Sequence, residues 1–425
     1  MVDFLLLYEN KSREIESICL LKVELEKKGH SVAVCHVHYF SKRKYKAKVV
    51  ITPFLYDDSD LYKYVYCICG KAQKVINLRW EQIYSKENEQ NLNCFFYPKN
   101  ETQKAIHLCW GEKQQKTLLE LGINYNKLPV VGPVHLELLT NGNYFCEREY
   151  IASKNNLNTD KKWILFVSSF SNTTFTEIEK KNALRVLGED RVKFIDVSIE
   201  SKKKILEWLM KIIKDEQYEI IYRPHPSEKK DISLQELEKK EKRFHVIMDD
   251  SVGQWIYCSD YVFNWYSTSA VQSVLLGKGN VVLRPVDIPD KLDISIFDNA
   301  FVIKEYEQMK EVLNNFPQNR RDENFEQYYS LEGCATEKIV DICNKIINSS
   351  YSCEIDYGKI LSNTSLGKRI KHEIIYKIYG TLLKLFCKLN VFSGLTSGYK
   401  IAERNKVSRE EQYQIEKRIS KLIND

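Results

Sequence analysis

EIIYRPHPSEKK at residues 219–230 and DYVFNWYSTSAVQSVLLGKGNVVLRP at residues 260–285 decide how this chain is read. The first opens on an apolar run, 219–222, of the length and composition of a buried strand. It stops at Arg223-Pro224-His225-Pro226. Two prolines fix φ and remove backbone donors, so pairing ends there and the loop is stiff. Such a loop holds Arg223 and His225 at the carboxyl edge of a sheet, where open α/β folds bind their ligands. The second stretch repeats the pattern, with a strand at 261–264 and Ser267-Thr268-Ser269 at the start of a helix. Gly277 ends that helix, and a further strand follows at 281–283. Hydroxyls and open N–H groups at a helix start suit an anion. A His-Pro loop alone is ordinarily structural, and Ser-Thr-Ser alone is ordinarily a cap. Their order and spacing suggest a phosphate held between two neighbouring strand ends.

That combination resembles the His-Pro and Ser/Thr motifs of bacterial GT-B transferases that build surface polysaccharides. These are the capsule polysialyltransferases, the Kdo transferases of capsule assembly and the CDP-glycerol glycerophosphotransferases of teichoic-acid type. The resemblance covers roughly residues 70–310. It implies an α/β, GT-B chain of two Rossmann-like domains facing a central cleft, with a C-terminal helical extension. It also implies that His225, Arg223 and the Ser267, Thr268 and Ser269 hydroxyls contact the phosphate of a cytidine-nucleotide donor. Asp250 and Ser251 fall where the family holds the base. Gln272 stands where many sugar-nucleotide GT-B enzymes grip the ribose with a glutamate, and an uncharged amide grips it less firmly.

At 425 residues, two domains are expected. We place them at 1–145 for the acceptor and 160–335 for the donor, with a polar linker over 140–162. Residues 336–425 form a crossing helix and a basic tail. Hydrophobic content of 43% and charged content of 29% are ordinary for a globular protein. Twelve cysteines scattered through apolar stretches, without zinc spacing, read as reduced thiols and a cytoplasmic location. No signal peptide is expected ahead of MVDFLLLYE, and no run is apolar enough to span a bilayer. The segment 368–390 interleaves lysines with Ile, Tyr, Leu and Phe. It reads either as a peripheral contact with the inner face of the plasma membrane or as a helix covering the core. No nucleic-acid-binding motif accompanies the charge.

The N-terminal third alternates strand and helix as Rossmann-like units do. A strand leads into a helix over 12–28 and then Gly29, and further strands fall near 32–40, 49–56 and 74–78. His36 and His38 share a strand face, where an exposed strand end outweighs a metal pair. Asp58-Ser59-Asp60 is formally the acidic pattern of metal-dependent transferases, but its surroundings are those of a helix cap. Trp80-Glu81-Gln82 partly matches the family's acidic motif, which implies Glu81 as the base that deprotonates an acceptor hydroxyl. Burial between aromatic neighbours would raise its pKa for that task. Trp110-Gly111 and PVVGPVH, 129–135, resemble the segment that closes the first domain. A short strand is expected over 129–135, with Gly132 allowing close approach at the cleft. Trp80 and His135 are candidate acceptor contacts.

In the second half, WILFVSSF is a strand followed by Ser168 and Ser169, which we expect to face the donor phosphate. The activity so implied is a single inverting displacement, independent of metal and of any cofactor beyond the nucleotide-activated donor. The low glycine count, 16, favours a CMP-linked acidic sugar of sialic acid or Kdo type over a diphosphate donor. An oligosaccharide or glycolipid is the acceptor, in capsule or lipopolysaccharide assembly. A CDP-glycerol-type glycerophosphotransferase and a non-catalytic scaffold of capsule assembly remain open alternatives.

Overall fold

A computed structural model describes residues 1–38, 45–140, 142–171, 173–187, 189–228, 230–317, 323–367, 369–370, 389 and 403–424. The basic segment 368–390 lies, but for three residues, outside the described ones. The chain forms two compact units: Met1–Gln82, Leu92–Leu138 and Glu326–Asp425 make unit 1, and Ile83–Asn91 and Leu139–Phe325 make unit 2.

Unit 1 is built on a parallel sheet of β1 (Val2–Tyr8), β2 (Val32–His36), β3 (Ala47–Thr52), β4 (Val75–Asn77) and β5 (Ile106–His107). Its order is β2-β1-β3-β4-β5. Phe4 to Leu7 are wholly buried, as an uninterrupted apolar run must be when both faces of a parallel sheet are covered. The helix Lys11–Lys27 buries Ile15, Ile18, Leu21 and Leu25, and Gly29, with φ +85°, turns the chain into β2. The chain reverses direction across the sheet between β1 and β3. That reversal opens a crevice at the carboxyl ends of those two strands.

No strand forms over 129–135. One bridge pairs Cys109 with Val130, and the helix Val134–Thr140 begins directly after Pro133. Pro133 cannot donate to a ladder but suits a helix start. Gly132 does admit a close backbone, though the visitor is the chain itself. A Cβ there would lie 2.4 Å from the Ser330 carbonyl oxygen, and one at Gly111 would lie 2.5 Å from that of Gln327. The helix Ala335–Ile347 packs on Lys11–Lys27 and β3. The polar tail helix Arg409–Asn424 also docks on Lys11–Lys27, through Lys22–Glu416 and Arg418–Glu16, both at 2.9 Å.

Unit 2 holds β6 (Lys162–Val167), β7 (Tyr218–Arg223), β8 (Phe244–Val246), β9 (Tyr261–Asn264), β10 (Val281–Leu283) and β11 (Phe301–Ile303). The strands are parallel, in the order β11-β10-β9-β6-β7-β8. This is the dinucleotide-fold order, with its reversal between β6 and β9. Phe166, Tyr222, Phe263 and Trp265 fill one face under the helix Glu189–Ile212, which adds Phe194, Ile205 and Leu209. The stretch read as a linker is folded. The helix Arg148–Asn155 buries Ile151 and Ala152 against Trp163, and Arg148 bonds Asp260 at 2.9 Å over the Trp163 ring. Among the described residues no helix is long and apolar enough to cross a membrane.

Gly132→Ala tests the close approach. A left-handed φ of +87° and a blocked Cβ together should lower stability by about 2 kcal/mol or more, read from urea denaturation midpoints.

Candidate functional site

Three strands of unit 2 end level with one another, because Val167 is in register with both Arg223 and Asn264. The expected adjacency of the His-Pro and Ser-Thr-Ser strands needs correction. β6 lies between β7 and β9, which places those two strand ends roughly 9–10 Å apart. The residue that fills the interval is Ser168, and it does not face a ligand. It is buried, donating to Glu228 Oε2 at 2.7 Å and accepting from the Tyr222 hydroxyl at 2.9 Å. Ser169, next in the chain, is half-buried.

Glu228 is the centre of a polar knot that the sequence did not single out. Its carboxylate also accepts from Lys202 Nζ at 2.8 Å and from the His225 backbone N–H at 3.2 Å, while the Glu228 N–H donates to the His225 carbonyl at 2.8 Å. Lys202 reaches Asp231 at 2.8 Å as well. The side chains of Lys202 and Glu228 are 7% and 1% exposed. The proline-flanked loop is therefore clamped from beneath by a buried ion pair. The spacing from His225 to Glu228, and a lysine within an otherwise apolar helical stripe, were the available signals.

This clamp sets the chemistry of His225. Its Nδ1 accepts the Ser227 backbone N–H at 3.1 Å. A nitrogen that accepts carries no proton, so the neutral ring holds its hydrogen on Nε2, as a donor suited to a phosphate oxygen. Arg223 has a different task from the one expected. It is buried, and it donates to the carbonyls of Asp249, at 2.8 Å, and Asp250, which pins the loop after β8. In that loop Asp250 holds φ +60° and pairs with Lys154 at 2.8 Å. The Ser251 hydroxyl caps the helix Val252–Cys258 by accepting from the Gln254 N–H at 3.3 Å. Side chains of this loop are thus occupied structurally. Gln272 is half-buried, with its amide oxygen against Gly253.

Ser267–Ser269 is not a helix cap. Ser269 is buried, makes no capping bond, and donates instead to Asn264 Oδ1 at 3.2 Å; its Oγ lies 2.8 Å from that of Ser267. The helix that follows, Ala270–Leu275, has only six residues, too few for a strong dipole. Thr268 stands exposed between the two serines.

In unit 1, the carboxyl ends of β1 and β4 carry a cluster of charged and aromatic side chains. Glu81 is exposed rather than desolvated, and Arg13 Nη1 donates to it at 2.6 Å. The burial expected from Trp80 does not reach it, because the indole turns inward while the carboxylate turns outward. Arg13 also pairs with buried Glu14 at 2.7 Å and approaches Glu9 at 3.6 Å. Partial burial, followed by the charge of Glu14, pushes the Glu9 carboxyl up to about 7. Glu9 directly follows β1, at the strand reversal, and sequence reading passed over it. Trp80 and His135 do come together, with ring centroids 5.8 Å apart and Trp110 4.8 Å from the imidazole. Burial, then the charge of Arg13, holds the imidazole neutral, down to about 3. Trp80 Nε1 and His135 Nδ1 are both buried and without partners among the described residues. His36 is not a ligand pair with His38; it meets the Glu9 carbonyl at 2.8 Å and takes the His38 N–H at 3.1 Å. Among the described residues no group of three or more His, Cys, Asp or Glu side chains is placed to hold a metal ion. Asp58 and Asp60 instead accept the Glu101 and Tyr56 N–H groups, at 3.0 and 2.9 Å.

No protein-family model matches the chain, and no curated protein matches it significantly in sequence. Solved structures do match. A histidine variant of the wall teichoic acid polymerase TagF, soaked with CDPG, aligns at 13% identity and a TM-score of 0.53 over 81% of this chain and 88% of its own. A second TagF structure aligns at 13% identity and TM-score 0.50 over 81% and 89%. A UDP-GlcNAc 2-epimerase of Methanocaldococcus jannaschii aligns at 15% identity and TM-score 0.47 over 81% and 99%.

The fold is that of the GT-B group. At 13% identity the likeness is one of fold.

Substitutions at Lys202, Glu228 and Glu9 test the buried and half-buried charges. Lys202→Met leaves Glu228 without its cation and should cost about 3 kcal/mol in denaturant unfolding, with part recovered in Lys202→Met/Glu228→Gln. For Glu9, the folded state holds a proton that the unfolded chain releases near 4.5, so its contribution to stability falls as pH rises from about 4.5 to about 7. Denaturation midpoints across that window should lose this slope in Glu9→Gln.

Proposed function

We propose that the chain is an inverting, metal-independent glycosyltransferase that moves a sugar from a CMP-activated donor, of sialic acid or Kdo type, to a growing surface polysaccharide. The observation that carries the reading is His225, its backbone N–H held by Glu228 and its ring Nδ1 by the Ser227 N–H, which leaves the ring proton on Nε2, at the carboxyl edge of a dinucleotide-order sheet. Donor binding belongs to unit 2. His225 Nε2–H and the Thr268 hydroxyl donate to the phosphate, and Arg223 positions the Asp249–Ser251 loop beside the nucleotide. Acceptor binding belongs to unit 1, where Trp80 Nε1 and His135 Nδ1 offer a polar pair to a hydroxyl of an oligosaccharide or glycolipid.

The reaction is one displacement. The acceptor hydroxyl gives its proton to a carboxylate of the Glu9–Arg13–Glu81 group, and its oxygen bonds to the anomeric carbon. The bond from that carbon to the phosphate oxygen breaks with its electron pair on the nucleotide, where His225 stabilises the developing charge. Glu9 suits the base role through its raised pKa, and Glu81 through its exposure. The protein works in the cytoplasm, with 368–390 as a peripheral membrane contact. Glycerophosphate transfer from CDP-glycerol is the second reading, supported by the fold shared with TagF, which was soaked with CDPG.

A thermal-shift screen with CMP, CDP, UMP and UDP identifies the nucleotide. Under this reading the cytidine nucleotides raise the melting temperature and the uridine ones do not. With the donor so found, His225→Ala should reduce turnover by about 100-fold or more. His225→Gln, whose amide N–H reaches the place of Nε2, should retain a measurable part, and EDTA should change nothing. A scaffold would bind no nucleotide and turn over no donor.

A further inference from the structure

Arg284 directly follows β10, in an Arg-Pro step like that of Arg223 at the end of β7. It is 5% exposed, yet only half its guanidinium is accounted for. Nη2 pairs with Asp293 at 3.0 Å, while Nη1 is buried without a partner. The guanidinium lies 5.9 Å from the Trp265 ring and 5.1 Å from that of Phe297. The Trp265 indole is wholly buried, and its Nε1–H is likewise unpartnered. A second cation, Arg191, adjoins the same aromatic group. It lies 5.5 Å from the Phe194 ring, whose centroid is 5.6 Å from that of Trp265. Arg191 is half-buried and makes no ion pair among the described residues. Both arginines act on Tyr266, whose hydroxyl donates to the Leu292 carbonyl at 2.6 Å. The nearby acid Asp190 is held on the exposed side by Lys291.

The charges in this corner are two guanidinium groups against Asp293; Asp287 also acts on Arg284, but it is itself paired with Lys304 at 2.7 Å. Burying a cation without a counter-charge is costly, and leaving donors unmade adds to it. An arrangement of two arginines, one carboxylate and an open indole N–H is complete only when an anion occupies it. We propose that Arg191, Arg284 and Trp265 Nε1 form a second anion-binding subsite of unit 2, which takes an anionic group of the ligand other than the phosphate at His225. Tyr266 immediately precedes Ser267, so the subsite borders the Ser267–Ser269 loop. This deepens the transferase reading and rests on it for the ligand's identity. The anionic group is either the carboxylate of an acidic sugar or the second phosphate of a nucleoside diphosphate. Asp293 is a positioning residue that holds Arg284 in place.

The test begins with inorganic pyrophosphate, at ionic strength matched with chloride, followed by thermal shift on the full chain. Wild type and His225→Ala should both be stabilised, and Arg191→Gln should not. Arg191 is chosen because it is half-buried and its variant should fold; Arg284→Lys, which keeps the charge but loses the fork, is the companion. No stabilisation of wild type, or equal stabilisation of Arg191→Gln, overturns the subsite. This arm needs no nucleotide, so it stands even if the transferase reading fails. Calorimetry then compares CMP, CDP and CMP-N-acetylneuraminate. The probe that fills the subsite should bind wild type more tightly than CMP and lose about tenfold or more in Arg191→Gln, while CMP is unchanged. A loss confined to CDP assigns a second phosphate, and one confined to the acidic sugar nucleotide assigns a carboxylate. Equal affinity of all three for wild type and variant refutes the proposal.

Discussion

The buried pair of Lys202 and Glu228 is the interaction on which unit 2 depends. A carboxylate taken out of water must be matched by a cation and by hydrogen bonds to its remaining lone pairs. Here it is matched by Lys202, Ser168, Tyr222 and the His225 N–H. Those four partners come from the long helix, the end of β6, the body of β7 and the loop after it. The single acid therefore ties three elements together beneath one imidazole. Two prolines stiffen the loop, but stiffness alone gives no direction; Glu228 supplies that.

Orientation of this kind also fixes the tautomer of His225. The Ser227 N–H occupies Nδ1, so the ring's proton stays on Nε2 without any help from titration. Arg223, the residue a phosphate-site reading would favour first, turns instead to the Asp249 and Asp250 carbonyls. The unmatched cationic charge of unit 2 lies further along the sheet edge, at Arg284 and Arg191.

Unit 1 gathers its charges in a comparable way. Its strand reversal falls between β1 and β3, and the residues just beyond β1, Glu9 and Arg13, gather Glu14 and Glu81 around one guanidinium. Burial, followed by the charge of Glu14 and with Arg13 shared among three carboxylates, holds the Glu9 proton into the neutral range. His135, hemmed in by Trp80 and Trp110, is kept neutral by burial and by the same arginine.

What the sequence determined by itself was periodicity and punctuation. Apolar runs such as FLLLY and EIIY sufficed for alternating strands and helices of Rossmann-like type, while the GT-B reading came from the resemblance of the RPHP and Ser-Thr-Ser motifs to a known family. Nucleotide-site candidates also followed, since they lie at strand ends and strand ends are legible. Strand order was not legible, so β6 between β7 and β9 could not be foreseen, nor could the loss of Ser168 to a buried network. Local signals mark where a chain turns, whereas the partners of Glu228 and the pairing of Glu81 join residues up to 68 positions apart. Only folding fixes which of those distant groups share a proton or a charge, because burial and pairing are properties of the packed whole.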